Sequence, residues 1–416
     1  MIFKNGHLLF FTAFAMSLVN PVNALTHTVY PGYVTSRINT IISKTSPGDT
    51  ILFKQGHYII NNILVLNPVV LIGEKYPVLD GNNKNQILSI GCDKVTVKGF
   101  KFINTGFSGM NEISAVRIQN AGNINITGNI LENVFFGIYC LNANSCYIGN
   151  NRIHSVSVHE LQSGNGIHCW KSDSMHIYNN NISGQRDGIY FEFVTNSVIQ
   201  KNVSHENLRY GLHFMFSHHN SYLSNKFDNN GAGVAVMYSH NVTMVNNIFT
   251  DNKGQSSYGI LMKDISDSYV KGNQFLNNTI GIYMEGTSRI NVRSNIFRSN
   301  GWAFKLQASC SDILIERNEF IGNTFDVATN GSLVLNKFSN NYWDKYEGYD
   351  LNRDGIGDVP YRPVSLFSII AERMPYSIML YRCFMVMLLE RTEKAVPGLT
   401  PVDLKDDKPF MKASSL

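Results

Sequence analysis

Charge is what this chain has least of. Asp, Glu, Lys and Arg make up 16% of its 416 residues, against roughly 25% in an ordinary soluble domain. Those residues build the exposed faces of helices, so their scarcity argues for strands and turns. The net charge is +4, with both signs spread along the chain, which leaves no basic stripe for a nucleic acid. Cysteine is sparse as well. Six residues and no CxxC pair exclude a disulfide-dense scaffold and a Cys-rich zinc site. What the chain does hold is 44% hydrophobic residues and 33 Gly, with abundant Asn, Ser and Thr. That is enough apolar surface for a real core and excludes wholesale disorder.

Both ends carry a short apolar stretch. Residues 1–24 read as an export signal: Lys4 supplies a positive start, Leu8–Leu18 is apolar, and Val22 and Ala24 stand at a small-residue cleavage site. The mature chain then begins near Leu25 and works outside the cytoplasm. Near the other end, Ser377–Leu389 is strongly apolar but broken by Arg382 and preceded by Pro375. It is too short and too interrupted for a membrane-spanning helix. Residues 366–392 read instead as an apolar helix that either caps the last coil or docks a membrane partner. The polar tail, 393–416, contains Pro397, Pro401 and Pro409 and reads as a loosely held end.

Between the ends the chain repeats itself. Segments such as GIHCWKSDSMHIYNNNI, GLHFMFSHHNSYLSNKF and GVAVMYSHNVTMVNNIF align on a small anchor residue: Ala115, Gly137, Gly166, Gly188, Gly211, Gly233, Gly259 and Gly281. The usual step is 22 or 23 residues, with one of 29 and one of 26. Fourteen residues after each anchor stands an Asn: Asn129, Asn151, Asn180, Asn202, Asn225, Asn247, Asn273 and Asn295. Two residues further on the position is apolar (Leu131, Ile153, Ile182, Phe227, Phe249, Phe275, Phe297), except at Ser204. Alternation with period two excludes a helical solenoid, and a propeller blade needs about 40 residues. The pattern predicts an all-β right-handed parallel β-helix over residues 25–365. Equivalent residues then stack at roughly 4.8 Å, and the Asn side chains can bond one another along the axis. Val34–Ser43 reads as a short amphipathic helix, with Thr35 or Ser36 near its N-cap, covering the open first edge.

This register sorts each coil into faces. Positions one and three after the anchor point inward, and positions two and four point outward. Met215 and Met237, both four after their anchors, become exposed neighbours on adjacent coils. His213 shares their face, with His168 two coils away. Two thioethers and an imidazole form a soft donor set that favours Cu(I) over hard cations. Seven after the anchor, His218 stacks on His240, beside His219, and the pair could share a metal such as copper. Cys140 and Cys169 stack at an inward position, where a disulfide and an unbonded apolar column are both open. Asp350, Asn352, Asp354 and Asp358 follow the opening of a calcium loop, although Tyr361 stands where an EF-hand has its bidentate Glu.

Three segments together resemble one family: RYGLHFMFSHHN (Arg209–Asn220), GVAVMYS (Gly233–Ser239) and NYWDKYEGYDLNRDGIGDVPYRP (Asn341–Pro363). They are similar to the NosD family, exported β-helix proteins of nitrous oxide reductase maturation. The third segment is shared by wider β-helix families; its combination with the His/Met coils is the specific part. The resemblance implies a non-enzymatic periplasmic copper protein. It also implies partners: a membrane permease and cytoplasmic ATPase of an ABC-type complex, a copper-donating lipoprotein, and nitrous oxide reductase as the end point. The rival reading is a carbohydrate-active β-helix enzyme, a lyase, hydrolase or epimerase. It needs carboxylates, or a carboxylate with a His or Arg, gathered on one outer face. Asp187, Glu192, Asp264 and Glu285 are the candidates. Glu192 and Glu285 fall four coils apart, roughly 19 Å along the axis, too far for concerted work.

Overall fold

The computed structural model describes residues 24–156, 159–331, 335–395 and 404–413. The export-signal stretch thus lies outside the described residues, save Ala24, as do 396–403 and 414–416 of the tail.

The repeat winds into a parallel β-solenoid with three faces. Each coil contributes one short strand to each of three sheets, of 14, 12 and 13 strands. The Gly211 coil is representative. Tyr210–Met215 joins the 12-stranded sheet, Ser221–Leu223 the 14-stranded sheet and Lys226–Asp228 the 13-stranded sheet. Every strand pairs in parallel with the equivalent strand one coil away, as in Leu212↔Val234 and Ser221↔Thr243. Such pairing needs no hairpins. It places like positions over one another and sends alternate side chains into a single core.

Three contacts enforce the register. The first is the asparagine ladder, sealed from water. Asn225 donates through Nδ2 to Asn247 Oδ1 at 3.0 Å and to the Ile199 carbonyl at 2.8 Å, while its Oδ1 accepts from Asn202 Nδ2 at 3.0 Å and Asn202 N at 2.9 Å. The residue before each Asn takes a left-handed φ, as at Ser224 (56°) and Asn246 (56°). This makes the tight bend whose backbone groups the buried amide satisfies. The second is the ring column beyond the ladder. Phe227, Phe249, Phe275, Phe297, Phe320 and Trp343 stack with centroids 4.1–5.4 Å apart. Ser204, the exception, is buried and donates to the Gly211 carbonyl at 2.7 Å. The third is steric. A Cβ on Gly211, Gly233 or Gly259 would come under 3.0 Å from the next anchor's carbonyl, so these anchors are glycine for closeness rather than for unusual φ.

A second asparagine ladder was not anticipated. Asn207, Asn230, Asn252, Asn278, Asn300 and Asn323 bond in sequence at the corner between the 13- and 12-stranded sheets. Its sequence signal, an Asn 19 residues after five consecutive anchors, was present.

The ends differ from expectation in three places. Helix α1 (Thr35–Ser43) buries Ile38 and Ile42 against the first coil, and Asn39 Oδ1 accepts from Leu64 N at 2.9 Å, covering that strand edge. Its N-cap is Val34, without a side-chain cap, and Thr35 Oγ1 instead accepts from Asn61 N at 3.0 Å. At the other end the tail is not loose throughout. Residues 404–413 return to the last coil, where Asp406, fully buried, accepts from Asn340 N, Asn341 N, Asn341 Nδ2 and Trp343 Nε1 at 2.9–3.1 Å. A carboxylate thus ends the asparagine ladder, because the last amide needs an acceptor and no further coil supplies one. In place of one helix over 366–392, two helices, α2 (Leu366–Arg373) and α3 (Phe384–Ala395), lie outside the solenoid, parted by a short 3-10 segment (Pro375–Leu380) at the proline, which cannot continue the first helix. Phe367, Ala371 and Val386 pack there on Ile280, Trp302 and Phe325 of the 12-stranded sheet.

Asn225→Ala orphans donors and acceptors in two neighbouring coils, and chemical denaturation should show a loss of about 3 kcal/mol. Asp406→Ala should make the C-terminal segment sensitive to limited proteolysis while the upstream coils stay resistant.

Candidate functional site

The outer face of the 12-stranded sheet carries the chemistry. Four residues after the anchors, its column reads Leu141, Trp170, Glu192, Met215, Met237, Lys263 and Glu285, each paired with the next. Met215 and Met237 are direct partners, partly exposed, and placed as the alternation requires. Two residues after the anchors, the column runs Arg117, Tyr139, His168, Tyr190, His213 and Ala235. Here one expectation fails. His213 points outward but is only 5% exposed. The rings of Tyr190 and Tyr210 cover it, with centroids 4.9 and 4.8 Å away. An outward strand position is solvent-exposed only if its neighbours are small, and these are tyrosines.

Beside His213 lies a buried polar group that alternation alone did not reveal. The residues just before the anchors, Asn165, Asp187 and Tyr210, stand next to the imidazole column. Asn165 Nδ2 bonds His168 Nδ1 at 3.0 Å. Asp187 has no exposed surface, and among the described residues the one hydrogen bond to its carboxylate is from Tyr210 N to Oδ1 at 3.3 Å. Its charge is opposed at longer range: Arg186 Nε at 3.7 Å, His213 Nδ1 at 3.8 Å and Arg209 Nε at 3.9 Å. Arg209 also faces Glu160 at 3.9 Å. Among the described residues, Asp187 Oδ2, Arg186 Nε and both ring nitrogens of His213 lack any hydrogen-bond partner. Buried polar groups are rarely left so, and each such case asks for an explanation. Tyr190 links this group to the methionines: its hydroxyl reaches Glu192 Oε2 at 3.1 Å and Met215 Sδ at 3.8 Å.

His218 and His240 do stack, with centroids 3.9 Å apart and planes within 13°. Burial pushes His218 below the usual histidine range, and His240 and His219 push it further. Parallel rings hold their in-plane lone pairs parallel, so the two do not converge on one point. His240 N also donates to His218 Nδ1 at 3.2 Å, which leaves the proton of neutral His218 on Nε2. Shared coordination would require a ring to turn. Between this pair and the methionines runs a ridge that the sequence reading missed. Phe193, Phe216 and Tyr238 stack at 5.3 and 5.0 Å and stay 37–45% exposed. Their φ values are 54°, 48° and 53°, at a corner where other coils place Asn120, Asn142, Asp264 or Gly286. Left-handed backbone costs an L-residue roughly 1–2 kcal/mol, and aromatic letters at an Asn/Gly corner were the overlooked signal.

The remaining candidates scatter. Asp350, Asn352, Asp354 and Asp358 accept from backbone amides of their own loop, as in Gly355 N to Asp350 Oδ2 at 2.9 Å and Leu351 N to Asp358 Oδ2 at 2.7 Å. That turn satisfies itself. Glu285 faces Lys263 at 3.6 Å, and Asp264 sits at a corner with φ 52°. Cys140 and Cys169 are register partners in the core and both are free thiols. Among the described residues, no group of three or more His, Cys, Asp or Glu side chains is gathered to hold a metal ion.

Residues 149–352 match the family described as "Periplasmic copper-binding protein (NosD)". The chain is 28% identical over 399 residues to a "Probable ABC transporter binding protein NosD" of Pseudomonas aeruginosa, covering 84% of this chain and 86% of that protein. A second protein of that name, from Stutzerimonas stutzeri, is 31% identical over 72 residues, covering 17% of this chain and 16% of that one. Among solved structures, the catalytic domain of a GH87 α-1,3-glucanase aligns with TM-score 0.60 at 12% identity, over 78% of this chain and 70% of that one. The A-module of the Azotobacter vinelandii mannuronan C-5 epimerase AlgE6 aligns with TM-score 0.51 at 13% identity, over 74% and 89%. At such identities the likeness is one of fold alone.

Burial holds His168 down at about 3, with Arg186 and His213 adding to the effect. A base whose folded value lies below its unfolded one makes the unfolded state the better proton binder between the two. Stability from this residue is therefore complete above pH ~6.5 and declines as pH falls toward 3. Thermal melts of His168→Gln across that range should show a flatter acid limb than the parent protein.

Proposed function

We propose that this NosD-like protein is a periplasmic copper-handling accessory of an ABC-type complex, without catalytic activity of its own, serving the assembly of the copper centres of nitrous oxide reductase. One observation carries the reading. Met215 and Met237 form a direct cross-coil pair on the outer face, with the unpartnered imidazole of His213 two residues away on the same strand and face as Met215. All three donors are neutral or can be, and a soft thioether–imidazole set suits Cu(I), which tolerates two or three ligands and needs no carboxylate. Copper is cargo here, so partial exposure of the methionines is an advantage: an ion that must be passed on needs an open side. His218 and His240 form a second candidate set, available after ring rotation.

The partners follow the same reading: a permease and ATPase, and a copper-donating lipoprotein. The apolar surface of residues 374–388, where Tyr376 and Met379 are 89% and 88% exposed, suits a membrane-embedded partner better than open water. Among the described residues no helix is long and apolar enough to cross a membrane. The enzyme reading draws on the gathering of Asp187, His213, Arg186 and Arg209 on one face. Burial counts against it, since Asp187 and His213 have almost no surface for a polymer chain to reach.

In a competition with a chromophoric Cu(I) chelator, the mature protein should bind Cu(I), and the double variant Met215→Ala/Met237→Ala should bind at least about tenfold more weakly, some 1.4 kcal/mol. Equal affinity of the two proteins would move the site elsewhere. Cleavage of a uronate polymer by the parent protein would turn the reading toward the enzyme.

A further inference from the structure

The methionine pair does not lie in a uniform column. Along the axis the positions read Glu192, Met215, Met237 and Lys263, each the direct partner of the next and each partly exposed. A carboxylate thus stands one coil before the thioethers and an ammonium one coil after. The two charged residues differ in their surroundings. Lys263 faces Glu285, the next residue of the column, at 3.6 Å, and its charge is opposed there. Glu192 has no such counterpart: among the described residues no cationic side chain comes within ion-pairing distance of it. Its other neighbour in the column is Trp170, whose ring face carries the ammonium of Lys171 at 4.3 Å. What holds Glu192 is a neutral donor, the Tyr190 hydroxyl, 3.1 Å from Oε2.

We infer that Glu192 is the counter-charge of the methionine site. Thioethers are neutral donors, and an imidazole that binds a metal is neutral too, so such a set leaves the whole charge of a bound Cu(I) uncompensated. Cross-strand neighbours lie about 5 Å apart, and at that distance a unit negative charge on a partly exposed face favours a cation. The charge lies on the Met215 side, the side whose strand also carries His213. Tyr190 holds the carboxylate in place. Its hydroxyl has one proton and two acceptors in reach, Glu192 Oε2 at 3.1 Å and Met215 Sδ at 3.8 Å. A carboxylate is the stronger acceptor, so the proton goes to Glu192 and the sulfur keeps its lone pairs for the ion. Burial and the neighbouring carboxylate push Tyr190 above the usual phenol range, which keeps that proton on the oxygen. Glu192 acts by its charge and not as a ligand. The inference rests on the copper reading of the methionine pair and adds what makes that pair favour a cation.

Cu(I) affinity, read by competition with a chromophoric chelator, tests it in the parent protein, Glu192→Gln and Glu192→Asp. The salt is non-coordinating, at about 0.01 M and about 1 M, so that the screening length falls from roughly 30 Å to roughly 3 Å. Gln keeps an acceptor for Tyr190 and loses the charge; Asp keeps the charge. Thermal melts establish that both variants fold as the parent does. At low salt Glu192→Gln should bind about tenfold more weakly than the parent, and Glu192→Asp within about threefold of it. At high salt the gap between Glu192→Gln and the parent should close. Comparing proteins within one salt condition cancels the chelator's own response. Equal low-salt affinities of the parent and Glu192→Gln overturn the inference. So does a gap that high salt leaves unchanged, or an Asp variant as weak as the Gln variant. In those cases the copper reading stands if the parent still binds Cu(I) more tightly than Met215→Ala/Met237→Ala. If the parent binds no Cu(I), the copper reading fails and the inference fails with it.

Discussion

An amide side chain that hydrogen-bonds the same side chain one coil further on is the contact the whole molecule depends on. Asn225 to Asn247 is one link of a chain from Asn129 to Asn341, and Asp406 closes it. Each Asn pays out two donors and one acceptor inside the core, so a coil that slipped by one residue would bury unsatisfied polar groups at a cost of ~1–3 kcal/mol each. Register is strict as a result, and strict register turns a repeat in sequence into a column in space.

Columns explain why the site lies where it does. A side chain on this scaffold meets its counterparts about 4.8 Å above and below, whatever the intervening 22 or more residues contain. Met215 and Met237 meet for that reason, and so do His218 and His240. The middle coils depart from the pattern of the others at several columns at once. They carry thioethers where other coils have Leu141 or Lys263, and aromatic rings where others have Asn142 or Gly286. Local rules are broken most often where function is concentrated, and the breaks here share one face and its adjoining corner.

The tyrosines add a constraint of a different kind. Tyr190 and Tyr210 shield His213 from water, and Asp187 beside it is buried as well, so these polar groups interact in a low-dielectric setting where small displacements matter. The half-open methionines sit at its edge.

Periodicity alone determined the architecture, the core-facing columns, the asparagine ladder and the Met215/Met237 pairing, because in a solenoid contacts follow directly from matched positions one step apart. It also held, unread, the second asparagine ladder and the aromatic ridge. Three things only the tertiary structure decided. His213 is covered, because the bulk of neighbouring side chains and not strand direction sets exposure. Asp187 meets His213, because a residue before one anchor reaches a residue after the next across the coil boundary. Residues 404–413 return to cap the ladder, because a free amide at the end of a column needs an acceptor, and no repeat in the sequence says from where in the chain it will come.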